Sequence, residues 1–362
     1  MALERPQIDK PDGDIPFELG IDDLTVGEGD EATKGKKVSV PFGSTAHAML
    51  IRAVQDLGWD PKTDLEIVTQ TPEVAGSALK AHQIEAHADF VPFGELFPFR
   101  GFAKKIYDGS STGVTTTHGV QVRSDFAGKY PELVVAYLKA TLEADRLFRD
   151  SPEALSEKLA GWTGVDAEVY YAFHGPHGIQ TRDYSLKPEY VTAIRKAQES
   201  LTVLKKVEHP IDVDAYVNDR FIRQAARELG DDYDARLRDY GALPFAGNAL
   251  DTGTPVEEPK LAGQIWVRGE AKVRLYSSVR ATLAALDHVE GEHASARVTF
   301  VHDRISGNKL FADKVWYVSS PDGALAAFLL KSNAQEWASK NQGAVVDFSA
   351  ARKLARQAQA QR

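Results

Sequence analysis

The stretch VSVPFGSTAHAML, residues 38–50, changes character twice. It begins as an apolar strand, breaks at Pro41 and Gly43, and restarts as a helix after Ser44 and Thr45. Strand, glycine-containing loop and helix start together make a cradle for an anion. First-turn backbone N–H groups lack intrahelical partners, and the helix dipole favours negative charge there. Gly43 lets the backbone approach a ligand closely. Ser44 and Thr45 add hydroxyl donors, and His47 projects from the first turn. The same residues also read as an ordinary helix cap, with Ser44 or Thr45 accepting from a first-turn amide. PFGSTAH lacks the GxxxxGK[ST] spacing and no GxGxxG lies near the strand, so the candidate anion is small rather than a dinucleotide.

Outward from this point the pattern alternates. KKVSV is a strand, AHAMLIRAVQDLGW a helix ending near Gly58, DLEIVTQ a strand, TPEVAGSALKAHQ a helix and IEAHADFV a strand. Such alternation predicts a parallel sheet covered by helices. VTTTHGVQVRS, residues 114–124, reads as one or two further strands. A mostly helical block follows over 129–229: a long helix opened by Tyr130-Pro131, then helices at 151–160, 166–173, 187–203 and 212–229. Ser151-Pro152-Glu153 and Asp212/Asp214 mark helix starts.

The segment 241–262, dense in Gly, Pro, Thr and Asp, predicts a linker. Period-2 strands GQIWVRG, AKVRLYS, ASARVTFVHD and KVWYVSSPDGALAAFLL then mix with helices SVRATLAALDHV and SNAQEWASKNQ and a final strand in GAVVDFS. The expected organisation is an extended lead-in over 1–34, an α/β domain over 35–240, the linker, a small α+β domain over 263–352 with a hairpin at Asp322-Gly323, and a polar tail over 353–362.

At 362 residues the chain is longer than one core usually serves. The 43% hydrophobic and 26% charged residues are those of a folded globular protein. A net charge of −9 with scattered Lys and Arg argues against a nucleic-acid partner, which requires a basic footprint. No apolar run reaches the length of a membrane helix. The absence of cysteine removes disulfides, thiolate metal sites and a cysteine nucleophile. MALERPQIDKPDGDIPFELG, residues 1–20, lacks the apolar core of a signal peptide, which reads as a cytoplasmic protein or a processed form.

KGKKVSVPFGSTAHAMLIRAVQDLGWDPKTDLEIV, then TPEVAGSALKAHQIEAHADFVPF and THGVQVRSDFAGKYPELVVAYLKATLEA, resemble the substrate-binding proteins of ABC importers over residues 35–230. The branch resembled is the one that carries nitrate, taurine, aliphatic sulfonates and thiamine precursors. The resemblance implies a periplasmic-binding-protein-like lobe, a periplasmic location, a small anionic ligand, the membrane subunits of an ABC transporter as partners, and no cofactor. It implies anion contacts at Gly43, Ser44, Thr45 and His47, and cleft-lining positions at Asp89, Phe90, Glu95, Thr117 and His118. The family carries most of a first lobe before its KGKKV strand, whereas 34 residues precede Gly35 here; another chain completing that lobe is one expectation. The segment NKLFADKVWYVSSPDGALAAFLLKSNAQEWASKNQGAVVDFSAA is similar to the copper-carrying accessory lipoproteins of nitrous oxide reductase. Their sulfur ligands do not carry over, since the only methionines are Met1 and Met49.

Histidines are the remaining reservoir for chemistry. His82 and His87 in HQIEAH do not form HExxH. His174 and His177 in FHGPHG are weak candidates for a shared metal, set against His174 as a helix end. His288, His293 and His302 with Asp303 form a nitrogen/oxygen metal set only if the fold gathers them. No catalytic residue is expected: Ser44 and His47 have no acid partner in view, and spacing alone does not pair Asp89 with Glu95. The segment FVPFGELFPFRGF, residues 90–102, concentrates five phenylalanines and reads as a ligand and domain contact. The favoured reading is a solute-binding component of an importer, not an enzyme. An accessory protein handling a metal or cofactor for a redox enzyme is the alternative, and a lyase or hydrolase a lesser one.

Overall fold

The computed structural model describes residues 18–21, 35–108, 119–203, 207, 209–239, 241–291 and 294–359. Strands β1 (Glu18–Ile21), β2 (Lys37–Ser39), β3 (Glu66–Val68), β4 (Ala86–Asp89) and β5 (Lys104–Asp108) form one sheet in the order β3-β2-β4-β1-β5. β2 runs parallel to β3 and β4, with Val38 opposite Ile67 and Ser39 opposite His87. The expected parallel sheet is therefore mixed. β1 lies antiparallel between β4 and β5, because it comes from the lead-in and not from a strand–helix–strand crossover, which is what enforces parallel direction.

Helices α1 (Thr45–Asp56), α2 (Pro72–Lys80) and α3 (Phe93–Phe99) join these strands. In α1 the buried residues are Ala46, Met49, Leu50, Ala53 and Val54, one stripe at helical spacing that covers Val38, Val40, Ala86 and Ala88 of the sheet. Each large buried side chain of this kind stabilises by about 1.5–3 kcal/mol. α1 gives way at Leu57 to Gly58, whose φ of +77° suits glycine. The aromatic stretch after residue 90, expected to pass the cleft, folds as α3.

The helical block comprises α4 (Ser124–Lys129), α5 (Pro131–Asp150), α6 (Pro152–Thr163), α7 (Ala167–His174), α8 (Pro188–Val203), α9 (Val213–Tyr216), α10 (Arg220–Glu228) and α11 (Tyr233–Asp239). α5 and α10 pack through Val134, Val135 and Leu142 against Phe221, Ile222 and Ala225. The helix expected over 212–229 is broken into α9 and α10 where Val217 turns extended, and Asp212 caps α9 by accepting from the amides of Asp214 and Ala215. Of the strands expected over 114–124, residues 119–123 are not a strand and residue 124 begins α4; residues 114–118 lie outside the described residues.

The C-terminal region holds two antiparallel sheets. One is β7-β6-β8-β9, from β6 (Gly263–Val267), β7 (Arg274–Tyr276), β8 (Ala296–His302) and β9 (Lys309–Phe311). The other is β11-β10-β12, from β10 (Trp316–Ser319), β11 (Leu325–Phe328) and β12 (Ala344–Val346). The β10–β11 turn carries Gly323 at φ +84°. Helices α12 (Val279–Gly291), α13 (Lys331–Lys340) and α14 (Phe348–Gln359) complete it. The expected polar tail is instead α14, because Ala351 and Ala355, one turn apart, are buried in the core shared with Val279, Leu283 and Ala284 of α12. Arg352 adds ion pairs to Asp287 and Glu290.

One apolar cluster runs through both halves of the molecule. Ala75, Leu79, Leu96 and Phe97 join Val169, Tyr171 and Phe173 of α7, and these join Trp266, Val298, Phe300 and Phe311 of the C-terminal sheet. Expected to mark a helix start, Glu153 also spans the halves: it accepts from Lys272 Nζ and the Val273 amide, each at 3.1 Å.

His174, buried at the end of α7 against Phe148 and Phe173, is held neutral. Burial, with Arg182 adding repulsion, lowers its pKa from 6.5 to about 4. The unfolded chain therefore takes up this proton first as pH falls. The contribution to stability is full above pH 6.5 and is lost toward pH 4, on the order of 1.4 kcal/mol per unit. Urea midpoints at pH 7.5, 5.5 and 4.5 should fall for the wild type and fall less for His174→Phe.

Candidate functional site

The carboxyl ends of β2 and β4 emerge side by side, the position at which α/β sheets receive ligands. From β2 the chain passes through Pro41, Phe42 and Gly43 into α1. Gly43 sits at φ +79° with open space where a side chain would stand. Ser44, extended at φ −86° and ψ 169°, is the N-cap: its Oγ accepts from the His47 amide at 3.2 Å and donates to the Pro41 carbonyl at 2.6 Å. The Gly43 amide donates to His47 Nδ1 at 3.3 Å, and the His47 ring stacks on Phe42 at 4.7 Å. The Phe42 amide donates to Thr69 Oγ1 at 3.3 Å.

Gly43, Ser44, Thr45 and His47 are thus gathered in one turn, and part of that turn is satisfied from within. Ser44 caps the helix, and His47 folds back over the loop instead of projecting outward. Among the described residues the amides of Thr45 and Ala46 keep no protein partner. Ala46 is buried against the sheet, so the Thr45 amide, at the positive end of a twelve-residue helix, is what remains to receive an anion. Phe42 and Phe90, 52% and 38% exposed, offer apolar surface from the loops that follow β2 and β4.

The carboxylates tell a different story. Asp89 is 1% exposed; its Oδ2 accepts from His87 Nε2 at 2.7 Å and its Oδ1 from the Phe90 amide at 2.8 Å. His87 Nδ1 lies 2.8 Å from Ser39 Oγ. Glu95 is buried against Lys105, with Oε1 accepting from Nζ at 2.8 Å. Asp89 and Glu95 therefore have separate partners inside the lobe and do not form a carboxylate pair. Thr117 and His118 lie outside the described residues.

The series Ser39–His87–Asp89 was not singled out from the sequence. Its signal is the alternation in AHAD, which puts His87 and Asp89 on one face of β4, beside Ser39 in register on β2. The residue types are those of a hydrolase triad, but the three are at most 1% exposed. A nucleophile needs access to its substrate, and this series has none. Its work is to tie together the strand ends from which both site loops depart.

The remaining histidines are dispersed. The His174 ring packs edge-on to Phe148, while His177 packs on Phe245 and meets His302 edge-on at 6.5 Å. Asp303 is occupied, accepting from the Ser306 amide in its own turn and from the Leu329 amide after β11. His288 lies on α12, and His293 is outside the described residues. Among the described residues no three His, Cys, Asp or Glu side chains converge as a metal site.

No family model matches the chain. A protein of Brachyspira hyodysenteriae described as an ABC transporter periplasmic binding protein is 30% identical over 177 residues, 48% of this chain and 50% of that one. The taurine-binding periplasmic protein of Escherichia coli is 31% identical over 141 residues, 36% of this chain and 43% of that one. A copper chaperone of Shewanella denitrificans overlays 31% of this chain and 94% of its own at 16% identity and a TM-score of 0.26, too low to bear on what the C-terminal region does. The chain spans about half the length of the curated relatives it matches. Over part of its length, the chain is similar to periplasmic binding proteins of ABC transporters, among them a taurine-binding one.

Proposed function

We propose that this protein is a periplasmic solute-binding component of an ABC importer for a small anion of sulfonate, nitrate or carboxylate type. The observation that carries this reading is the first turn of α1, where the amide of half-buried Thr45 has no partner among the described residues and lies beside its own hydroxyl and the capped Ser44. The similarity to binding proteins over part of the chain supports it. Phe42 and Phe90 would shield a short apolar tail, and the membrane subunits of the transporter would be the receiving partners. A further chain completing the groove opposite this turn belongs to the same reading. So does the division at 241–262 into a binding domain and a small C-terminal domain.

Thr45→Pro tests the pole directly. Thr45 is the first helical residue, where proline is tolerated, and the extended Ser44 is compatible with a following proline. The substitution deletes one amide donor and leaves the helix intact. Isothermal titration with taurine, short alkanesulfonates, nitrate and small carboxylates should find one class that binds. Thr45→Pro should weaken that binding by about 10- to 100-fold, the worth of a hydrogen bond to a charged group, while Thr45→Val isolates the hydroxyl. Binding unchanged in Thr45→Pro, or no binding by any of the panel, would overturn the reading.

A further inference from the structure

Alternation along the C-terminal sheet sends Val298, Phe300 and His302 of β8 to one face, with Lys309 and Phe311 of β9 and Gln264 and Trp266 of β6 beside them in register. That face covers α7 and reaches α3, where Phe99 meets Phe311 at 5.3 Å. Four of these residues are apolar and suit a permanent interface. The other three are polar, nearly fully buried, and each keeps an unanswered atom: Lys309 Nζ, His302 Nε2 and Gln264 Oε1. The His302 Nδ1–H donates to the Ala262 carbonyl at 3.1 Å, and Gln264 Nε2 donates to the Tyr171 hydroxyl at 3.0 Å. Among the described residues Lys309 Nζ has no hydrogen-bond partner and lies over ring faces, 4.6 Å from the centre of Tyr171 and 5.4 Å from that of Phe300.

We propose that this sheet is a proton-sensitive clamp on α7: proton uptake by Lys309, with His302 and His177, loosens its grip. A charge on any of the three is poorly accommodated in the closed interface and well solvated when the surfaces part. The opposing elements offset it only in part. On α6, the Glu153 charge favours a proton on Lys309, against the larger effect of burial, but its oxygens already serve Lys272 and the Val273 amide. On α7, Tyr171 is a neutral phenol and Glu168 is paired with Arg297 at 2.8 Å. The loops add His177, a further base, and Phe245. The back of the sheet meets the apolar face of α12, with Thr282 its only buried polar residue. Burial lowers the proton affinity of all three bases, and Lys309 lowers that of both imidazoles further.

The linkage has a definite sign. Each group neutral when clamped and protonated when released weakens clamping tenfold per unit fall in pH, between its clamped and its ordinary pKa. Hydrogen–deuterium exchange on the full chain at pH 8.5, 7.0 and 5.5, corrected for intrinsic rates, reads this out. Amides of α7, β8 and β9 should lose protection at least tenfold per unit, while those of α1 and α10 hold. Lys309→Met, of similar length and uncharged, should lower that slope by one proton. His302→Gln should lower it only below pH 6.5, which keeps the test open if the methionine variant fails to fold. Protection of α7 that is constant with pH, an unaltered slope in both variants, or parallel loss in α1 and α10 would each overturn the clamp.

Discussion

Asp145→Asn should destabilise the protein by about 3–5 kcal/mol, the cost of removing one member of a buried ionic cluster. Asp145 is fully buried on α5, and three guanidinium groups converge on it: Arg149 at 3.6 Å, Arg182 at 3.8 Å and Arg236 at 3.5 Å. Arg149 lies one turn further along α5, Arg182 comes from the loop after α7, and Arg236 from α11. Asparagine preserves the shape and takes away the one charge that reconciles three like charges in a confined space. All three keep other acceptors, but that of Arg182 is the neutral Tyr184 hydroxyl, at 3.2 Å, whereas Arg236 reaches Asp231 and Arg149 donates to the Gly241 carbonyl. The effect should therefore fall most heavily on Arg182 and the loop that carries it. A urea melt should show a midpoint shift with unchanged slope, and exchange should rise first in the loop after α7 that carries Arg182. A loss under 1 kcal/mol would mean that the cluster is a solvated pairing.

His87→Leu should cost a similar 3–5 kcal/mol, for a related reason. The side chain is near in volume, but leucine leaves the Asp89 carboxylate with only the Phe90 amide and strips Ser39 of its partner. Ser39→Ala, by contrast, removes a neutral hydroxyl and should cost only about 1 kcal/mol. The ratio of the two effects tests the assignment of this series to architecture. If Ser39 were a nucleophile, its alanine variant would abolish an activity while leaving stability nearly intact. If it is a tie between strand ends, both variants act on stability in the order given.

Much of the first half of the fold was legible because the chain alternates strand and helix with clear punctuation. Val38 and Val40, the break at Pro41 and Gly43, and the stripe from Ala46 to Val54 define β2, the loop and α1 without outside help. The antiparallel course of β1 was not legible, since a short strand carries no mark of its direction. Neither was α14, whose buried face consists of alanines that look polar in company with Arg352, Lys353 and Arg356. At the site, the cluster from Gly43 to His47 was legible as a helix start. What each polar atom does there was not: the same Ser44 serves a cap or an anion, and only its bonds to the His47 amide and the Pro41 carbonyl separate the two. Asp89 and Glu95 were expected at the cleft because their segment resembles the one that passes it in the binding proteins. Their partners, His87 and Lys105, were visible in the sequence, but pairing depends on register.

The position of β1 has a consequence for assembly. β1 occupies a slot flanked by β4 and β5, both of which are synthesised after it, so the two later strands close around an earlier one. Deleting residues 1–21 would expose two facing rows of unsatisfied backbone groups, an invitation to intrusion by a strand from a neighbouring molecule.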